Sequence, residues 1–158
     1  MNVPENERCP AEPGTRLRFS VSPDPPIGVY VRNKVVAFAE AHDIGGDEVI
    51  DFVSAIGEAL ANAIEHARTR EPIEIAIWLL GTDRLFASVS DKGIGFSPND
   101  RPLDLLLPDA FAERGRGLSI MRRCSDIFNV RSAPGQGTHV TLGCYVQRAG
   151  MLEQHATG

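Results

Sequence analysis

Two runs of alternating apolar residues, separated by three turn-forming positions, constrain this chain more than any other feature. Ile73, Ile75, Ile77 and Leu79 precede the connection Gly81-Thr82-Asp83, and Leu85, Ala87 and Val89 follow it. A side-chain period of two around a short Gly-containing link predicts an antiparallel hairpin with one face buried. Three more segments share the period. Arg16 to Val21 sets Leu17, Phe19 and Val21 against Arg16, Arg18 and Ser20, and Pro23, Pro25 and Pro26 end it. Ile127 to Arg131 and the run Val140, Leu142, Cys144, Val146 read as strands on either side of the turn Ala133 to Gly137.

Two segments follow the helical period instead. From Ile27 to His42 the apolar positions Ile27, Tyr30, Val31, Val35, Phe38 and Ala41 recur at three and four, with Pro26 before them and Gly45 and Gly46 as the expected stop. Asp47 is placed to cap a second helix reaching about Ala67, with the stripe Ile50, Val53, Ile56, Leu60, Ala63 and Ile64. Ser97 to Glu113 carries three prolines and reads as a long loop; Gly117 opens a short helix bearing Leu118, Met121 and Cys124. The order of elements predicts an α+β fold: a two-layer α/β sandwich whose mixed, mostly antiparallel sheet carries helices on one face. Trp78 is expected in the core.

At 158 residues and 42% hydrophobic content the chain fits one domain with a substantial core, taken as 15–147 between loose tails 1–14 and 148–158. The 16 Lys+Arg against 21 Asp+Glu leave a net charge of −5, so no general affinity for nucleic acid or anionic membrane is expected. An anion must therefore be held by a local arrangement. No apolar run reaches the length of a bilayer span and no signal-peptide pattern opens the chain, which predicts a cytoplasmic address. Cys9, Cys124 and Cys144 form neither a disulfide framework nor a zinc pattern.

Four stretches carry residue types suited to chemistry. On the second helix Glu58, Asn62, Glu65 and His66 share a face, where a carboxylate one turn before a carboxamide can accept a proton or ligate a hard cation. A solvated polar helix face has the same look. Asp91-Lys92-Gly93-Ile94-Gly95-Phe96 ends a strand, its glycines permitting close approach and Asp91 offering an acceptor; a capped loop reads the same way. Arg114-Gly115-Arg116-Gly117-Leu118 runs into a helix start, a natural phosphate site, without the spacing of a P-loop or a dinucleotide fingerprint. Gly135-Gln136-Gly137-Thr138 leads into the last strand and by itself is a turn.

In this order the four stretches resemble the GHKL (Bergerat-fold) ATP-binding superfamily, most closely its bacterial anti-sigma-factor serine kinase branch. The resemblance spans about Arg16 to Val146: Glu58 to Ala67 looks like the N-box, Asp91 to Phe96 like the first glycine box, Arg114 to Leu118 like the second, and Thr138 like the late threonine. It implies ATP and Mg²⁺ as cofactors, with Glu58 as general base, Asn62 coordinating Mg²⁺, and Asp91 receiving the adenine amine supported by Thr138. Gly93, Gly95 and Phe96 would pack on the nucleotide. Residues 97–114 correspond to the ATP lid, and Arg114, Gly115, Arg116, Gly117 and Leu118 would close on the phosphates.

The same resemblance implies a serine/threonine protein kinase and anti-sigma factor that phosphorylates a STAS-type anti-anti-sigma antagonist and sequesters a sigma factor, with a homodimer expected through the first strand and helix. The stretch before the first strand is too short for the phosphoacceptor hairpin of sensor histidine kinases, which disfavours that branch. The competing reading is a nucleotide-gated binding module that switches partners to control a non-sigma target such as a secretion or signalling protein.

Overall fold

A computed structural model describes residues 15–24, 26–66, 69–95, 121 and 125–147. Five strands form one sheet: β1 (Arg16–Val21), β2 (Ile73–Leu80), β3 (Arg84–Asp91), β4 (Ile127–Ala133) and β5 (Gly137–Tyr145), in spatial order β1-β2-β3-β5-β4. Helices α1 (Ile27–Ala41) and α2 (Asp47–His66) lie between β1 and β2 in sequence. All four strand pairings are antiparallel. The parallel component anticipated in a mixed sheet is thus missing among the described residues, because every strand pair except β3–β5 and β1–β2 is a direct hairpin and those two also run in opposite directions.

Register assigns each strand residue to a face. Leu17, Phe19 and Val21 stand opposite Ile77, Ile75 and Ile73, and Val89, Ala87 and Leu85 opposite Val140, Leu142 and Cys144. This apolar face packs with Val31, Val35 and Phe38 of α1 and with Phe52, Ile56, Ala59, Leu60 and Ala63 of α2 into one core. The free thiol of Cys144 lies within it, its pKa pushed up to about 12, first by burial and then by Asp126 and Glu48. That fits a small core residue rather than a ligand.

Several local expectations need correction. Tyr30 and Ala41 are exposed on α1, and Ala39 takes the buried place, because Val31, Val35, Phe38 and Ala39 make the tighter stripe. Ile50 is 63% exposed on α2, since Val49 and Phe52 already occupy the inward side of its first turn. Asp47 sits inside that turn beside Glu48, where both carboxylates favour the positive end of the helix without capping it. α1 ends before Gly45: the His42 ring Nδ1 lies 2.8 Å from the Phe38 carbonyl oxygen, Asp43 takes φ 59°, and the Ile44 N–H returns to the Ala39 carbonyl at 2.9 Å.

Trp78 is buried, at 2% exposure, but on the other side of the sheet. Its phase opposes that of Ile75 and Ile77, and it stacks on Phe86 at 5.4 Å with Ala76, Leu80 and Ile127 around the pair. Gly143 makes room for that stack, since a Cβ there would come within 2.7 Å of the Phe86 ring. The expected short helix is described only at Met121, which is helical and fully buried; its other residues, the tails 1–14 and 148–158 and the segment 97–114 lie outside the described residues.

The two isoleucines of α2 test the helical phase. Ile56→Ala should cost about 2–5 kcal/mol by opening a cavity in the core, and Ile50→Ala within about 0.5 kcal/mol. Urea unfolding of both variants measures the contrast; equal losses would mean that the helix is rotated from the position described.

Candidate nucleotide site

The end of the sheet where β3 stops and β5 begins gathers polar side chains. Asp91 is the last residue of β3 and stands opposite Thr138 of β5, which in turn stands opposite Ser132 of β4. Three side chains from segments far apart in sequence therefore lie in one row on the helix-facing side. The Thr138 and Ser132 hydroxyl oxygens are 2.9 Å apart, and the Ser132 hydroxyl donates to the Gly137 carbonyl at 3.0 Å. Ser132 was not foreseen; only the β4–β5 register places it beside Thr138, and the period of two in β4 is the signal that would have found it.

Asp91 is 8% exposed. Burial raises its pKa above the usual carboxylate value, and hydrogen bonds from the Gly93 and Thr138 backbone N–H groups pull it partly back. The Gly93 N–H reaches Oδ1 at 2.9 Å. A carboxylate has about four acceptor positions, so two backbone donors leave capacity for an external N–H.

Glycines let the backbone close this corner. Gly137 has φ 75°, and a Cβ there would fall 2.0 Å from the Asp91 carbonyl oxygen. Gly95 has φ 61°, and its Cβ would meet the Ala133 carbonyl oxygen at 2.1 Å. The Gly135 N–H donates to the Ile94 carbonyl at 2.7 Å, tying the loop after Asp91 to the β4–β5 turn. The close approach made by Gly95 is thus to protein backbone, which accounts for this glycine before any ligand is invoked.

Above the strands, α2 packs against β3 and β5, and Glu58 and Asn62, one turn apart on it, are half-buried while Glu65 is exposed. The predicted polar face is therefore unevenly covered. Phe96, Arg114, Gly115, Arg116, Gly117 and Leu118 lie outside the described residues, as does the His66 side chain. Among the described residues, no group of three or more His, Cys, Asp or Glu side chains is gathered as a metal site.

Known proteins match this chain over most of its length. The sequence profile of the histidine kinase-like ATPase domain matches residues 24–144. The chain belongs to this family. Within it the chain falls in the anti-sigma kinase branch of the GHKL superfamily, beside relatives named anti-sigma F factor and serine-protein kinase RsbW. The anti-sigma F factor of Caldanaerobacter subterraneus subsp. tengcongensis is 30% identical over 123 residues, 75% of this chain and 85% of its own length. The anti-sigma F factor of Pasteuria penetrans is 32% identical over 119 residues, 72% and 79%. The serine-protein kinase RsbW of Bacillus cereus is 30% identical over 125 residues, 75% and 77%.

Solved structures agree on the fold of this ATPase-type domain. The RsbU and RsbW domains of Rv1364c from Mycobacterium tuberculosis align with a TM-score of 0.65 at 20% identity, over 84% of this chain and 33% of that one. The mycobacterial sensor histidine kinase MprB aligns with a TM-score of 0.55 at 14% identity, over 84% and 99%. No helix among the described residues is long and apolar enough to cross a membrane.

Two measurements check the corner. Gly137→Ala should cost about 1–3 kcal/mol through strained backbone, whereas Gly57→Ala, in open space inside α2, should gain about 1 kcal/mol. Asp91→Asn should raise the melting temperature of the ligand-free protein at neutral pH. A folded-state pKa raised above the unfolded one contributes stability at low pH that is lost as pH climbs through the raised value. The asparagine variant escapes that loss, so its advantage should shrink in mild acid; a constant difference across pH would refute the assignment.

Proposed function

We propose that this chain is an ATP-dependent serine/threonine protein kinase and anti-sigma factor of a partner-switching module, and that its substrate is a STAS-type anti-anti-sigma protein. Family membership supports ATP use and a kinase-type domain, and relatives named anti-sigma F factor and serine-protein kinase RsbW support the partner-switching role. The observation that carries the site reading is the buried Asp91 carboxylate, which keeps acceptor capacity beyond its backbone partners at the end of β3.

In this reading Asp91 accepts the adenine exocyclic N–H and Thr138, fixed by Ser132, supports that end of the base. The proposed binding direction puts adenine at the β3–β5 corner and the phosphates along α2, toward Asn62 and Glu58. Glu58 accepts the proton of the attacking serine or threonine hydroxyl as its oxygen bonds to the γ-phosphorus and the bond to the β-phosphate oxygen breaks, releasing ADP. Asn62 offers a neutral amide oxygen, which suits Mg²⁺, an ion held by one or two protein oxygens together with phosphates and water. When bound, Mg²⁺ supplies charge neutralisation on the phosphate oxygens. Phe96, Arg114, Gly115, Arg116, Gly117 and Leu118 are proposed to complete the nucleotide contacts, with residues 97–114 as the lid over it. The whole is placed in the cytoplasm, with a homodimer through β1 and α1 as its assembly.

Incubation with Mg-ATP and a STAS-domain antagonist from the same genome should yield phosphoserine or phosphothreonine on the antagonist. Glu58→Gln should abolish transfer, by at least about a hundredfold, while calorimetry still detects nucleotide binding. Transfer at the normal rate by that variant removes Glu58 from the mechanism; a partner set without any sigma factor would point to control of another target.

A further inference from the structure

Five residues form one row across the outer face of the sheet. Arg16 of β1 stands opposite Trp78 of β2, Trp78 opposite Phe86 of β3, Phe86 opposite Gly143 of β5, and Gly143 opposite Ile127 of β4. The helices pack on the other side, and the cluster here holds strand side chains alone: Ala76, Trp78 and Phe86, with Leu80 and Ile127 against them. A sheet face turned to water leaves part of its large side chains exposed, yet Trp78 is 2% exposed and Phe86 0%. Their rings stack at 5.4 Å, which covers one face of each and leaves the outer edges open. Ser88 and Thr141 in the neighbouring row are buried as well. Trp78 Nε1 is buried without a hydrogen-bond partner among the described residues, and a buried indole N–H calls for an acceptor. A further layer carrying carbonyl groups would meet both demands.

The chain has such a layer to offer where β1 begins. The Leu79 N–H donates to the Thr15 carbonyl at 2.9 Å, so the polypeptide joins the sheet at the Arg16 end of this row. Just before Thr15 stand Pro10-Ala11-Glu12-Pro13-Gly14. Prolines three apart favour the polyproline II conformation, which leaves its carbonyl groups unpaired and packs on aromatic side chains. Pro13 also holds Glu12 extended, and Gly14 permits the bend from the sheet edge onto its face. At about 3.1 Å per residue Pro10 to Pro13 spans about 9 Å. Two strand spacings of about 4.8 Å cover the same width, from Trp78 past Phe86 to Gly143. Charge agrees: residues 1–14 hold Glu5, Glu7 and Glu12, and the face beside Trp78 presents Arg16 and Arg18, with Glu74 farther along β2. Residues 148–158 hold no proline and one acid, Glu153.

We propose that Pro10 to Pro13 docks on this row as an extended strap, its proline rings on the Trp78–Phe86 stack and one of its backbone carbonyl groups accepting the Trp78 Nε1–H. The strap closes the outer face and fastens the edge strand β1 to β2, β3 and β5. It lies away from the nucleotide corner, since Phe86 and Asp91 are separated along β3 by about 17 Å of strand. It holds whether or not ATP binds there.

Trp78 is the single tryptophan of the chain, so its fluorescence reads this face directly. In the full-length protein, Pro10→Ser combined with Pro13→Ser should raise acrylamide quenching of Trp78 several-fold and move its emission to longer wavelength, with far-UV circular dichroism unchanged. Met151→Ser combined with Leu152→Ser should alter neither signal. In the unaltered chain, nuclear Overhauser effects should join the indole N–H to ring protons of Pro10 or Pro13, a readout that needs no variant to fold. Quenching unmoved by the proline substitutions, a rise caused by the Met151 and Leu152 substitutions instead, protection of Trp78 that disappears on dilution as a second copy leaves, or an indole N–H without contacts to the segment would each overturn the proposal.

Discussion

The pairing of β3 with β5 is the contact on which the rest of this molecule depends. The two strands are separated in sequence by the whole of residues 92–136, yet Asp91 meets Thr138 and Leu85 meets Cys144 in one unbroken antiparallel register. Because side chains alternate between faces, that register decides both core and chemistry together. A slip by one residue would turn Val89, Ala87 and Leu85 out of the core and carry Asp91 away from Thr138 and the helical layer. The glycines at 95 and 137 protect the register by letting carbonyl groups approach where a side chain would collide.

α2 joins the two layers and serves both purposes. Its inward stripe of Phe52, Ile56, Leu60 and Ala63 is part of the core, and the same twenty residues hold Glu58 and Asn62 half-buried beside it. A site on a helix that is anchored by its own apolar face loses little order when a ligand leaves, which suits the phosphoryl-transfer roles proposed for Glu58 and Asn62. The buried Asp91 carries a cost of its own: a carboxylate whose pKa burial raises weakens the protein at neutral pH.

The sheet is two-sided in a second sense. Its helix-facing side is apolar except at the Asp91–Thr138–Ser132 row, while its outer side combines the Trp78–Phe86 stack with arginines from three strands and His139. Trp78 Nε1 and Asn129 Oδ1 are buried there without a hydrogen-bond partner among the described residues. The single backbone layer between the two sides is what turns residues adjacent in sequence, such as Ser90 and Asp91 or Thr138 and His139, to opposite faces of the sheet.

The alternating runs and the helical stripes made the strand segments, both long helices and the α+β class legible, because solvent separates apolar from polar positions at the period of each backbone type. The ordered motifs made the family legible as well, since four short stretches carrying Glu58, Asn62, Asp91 and Thr138 in sequence order are more specific than any one of them. Composition and period cannot tell which of two apolar residues in a helix turn faces inward, so Ile50 and Tyr30 were placed wrongly and Ala39 was overlooked. Tertiary contacts alone decided the rest: the all-antiparallel order, Trp78 on the far face, Ser132 beside Thr138, and Gly95 against Ala133. Each of these depends on which distant segments lie side by side, and a linear sequence specifies that only through the packing of the whole.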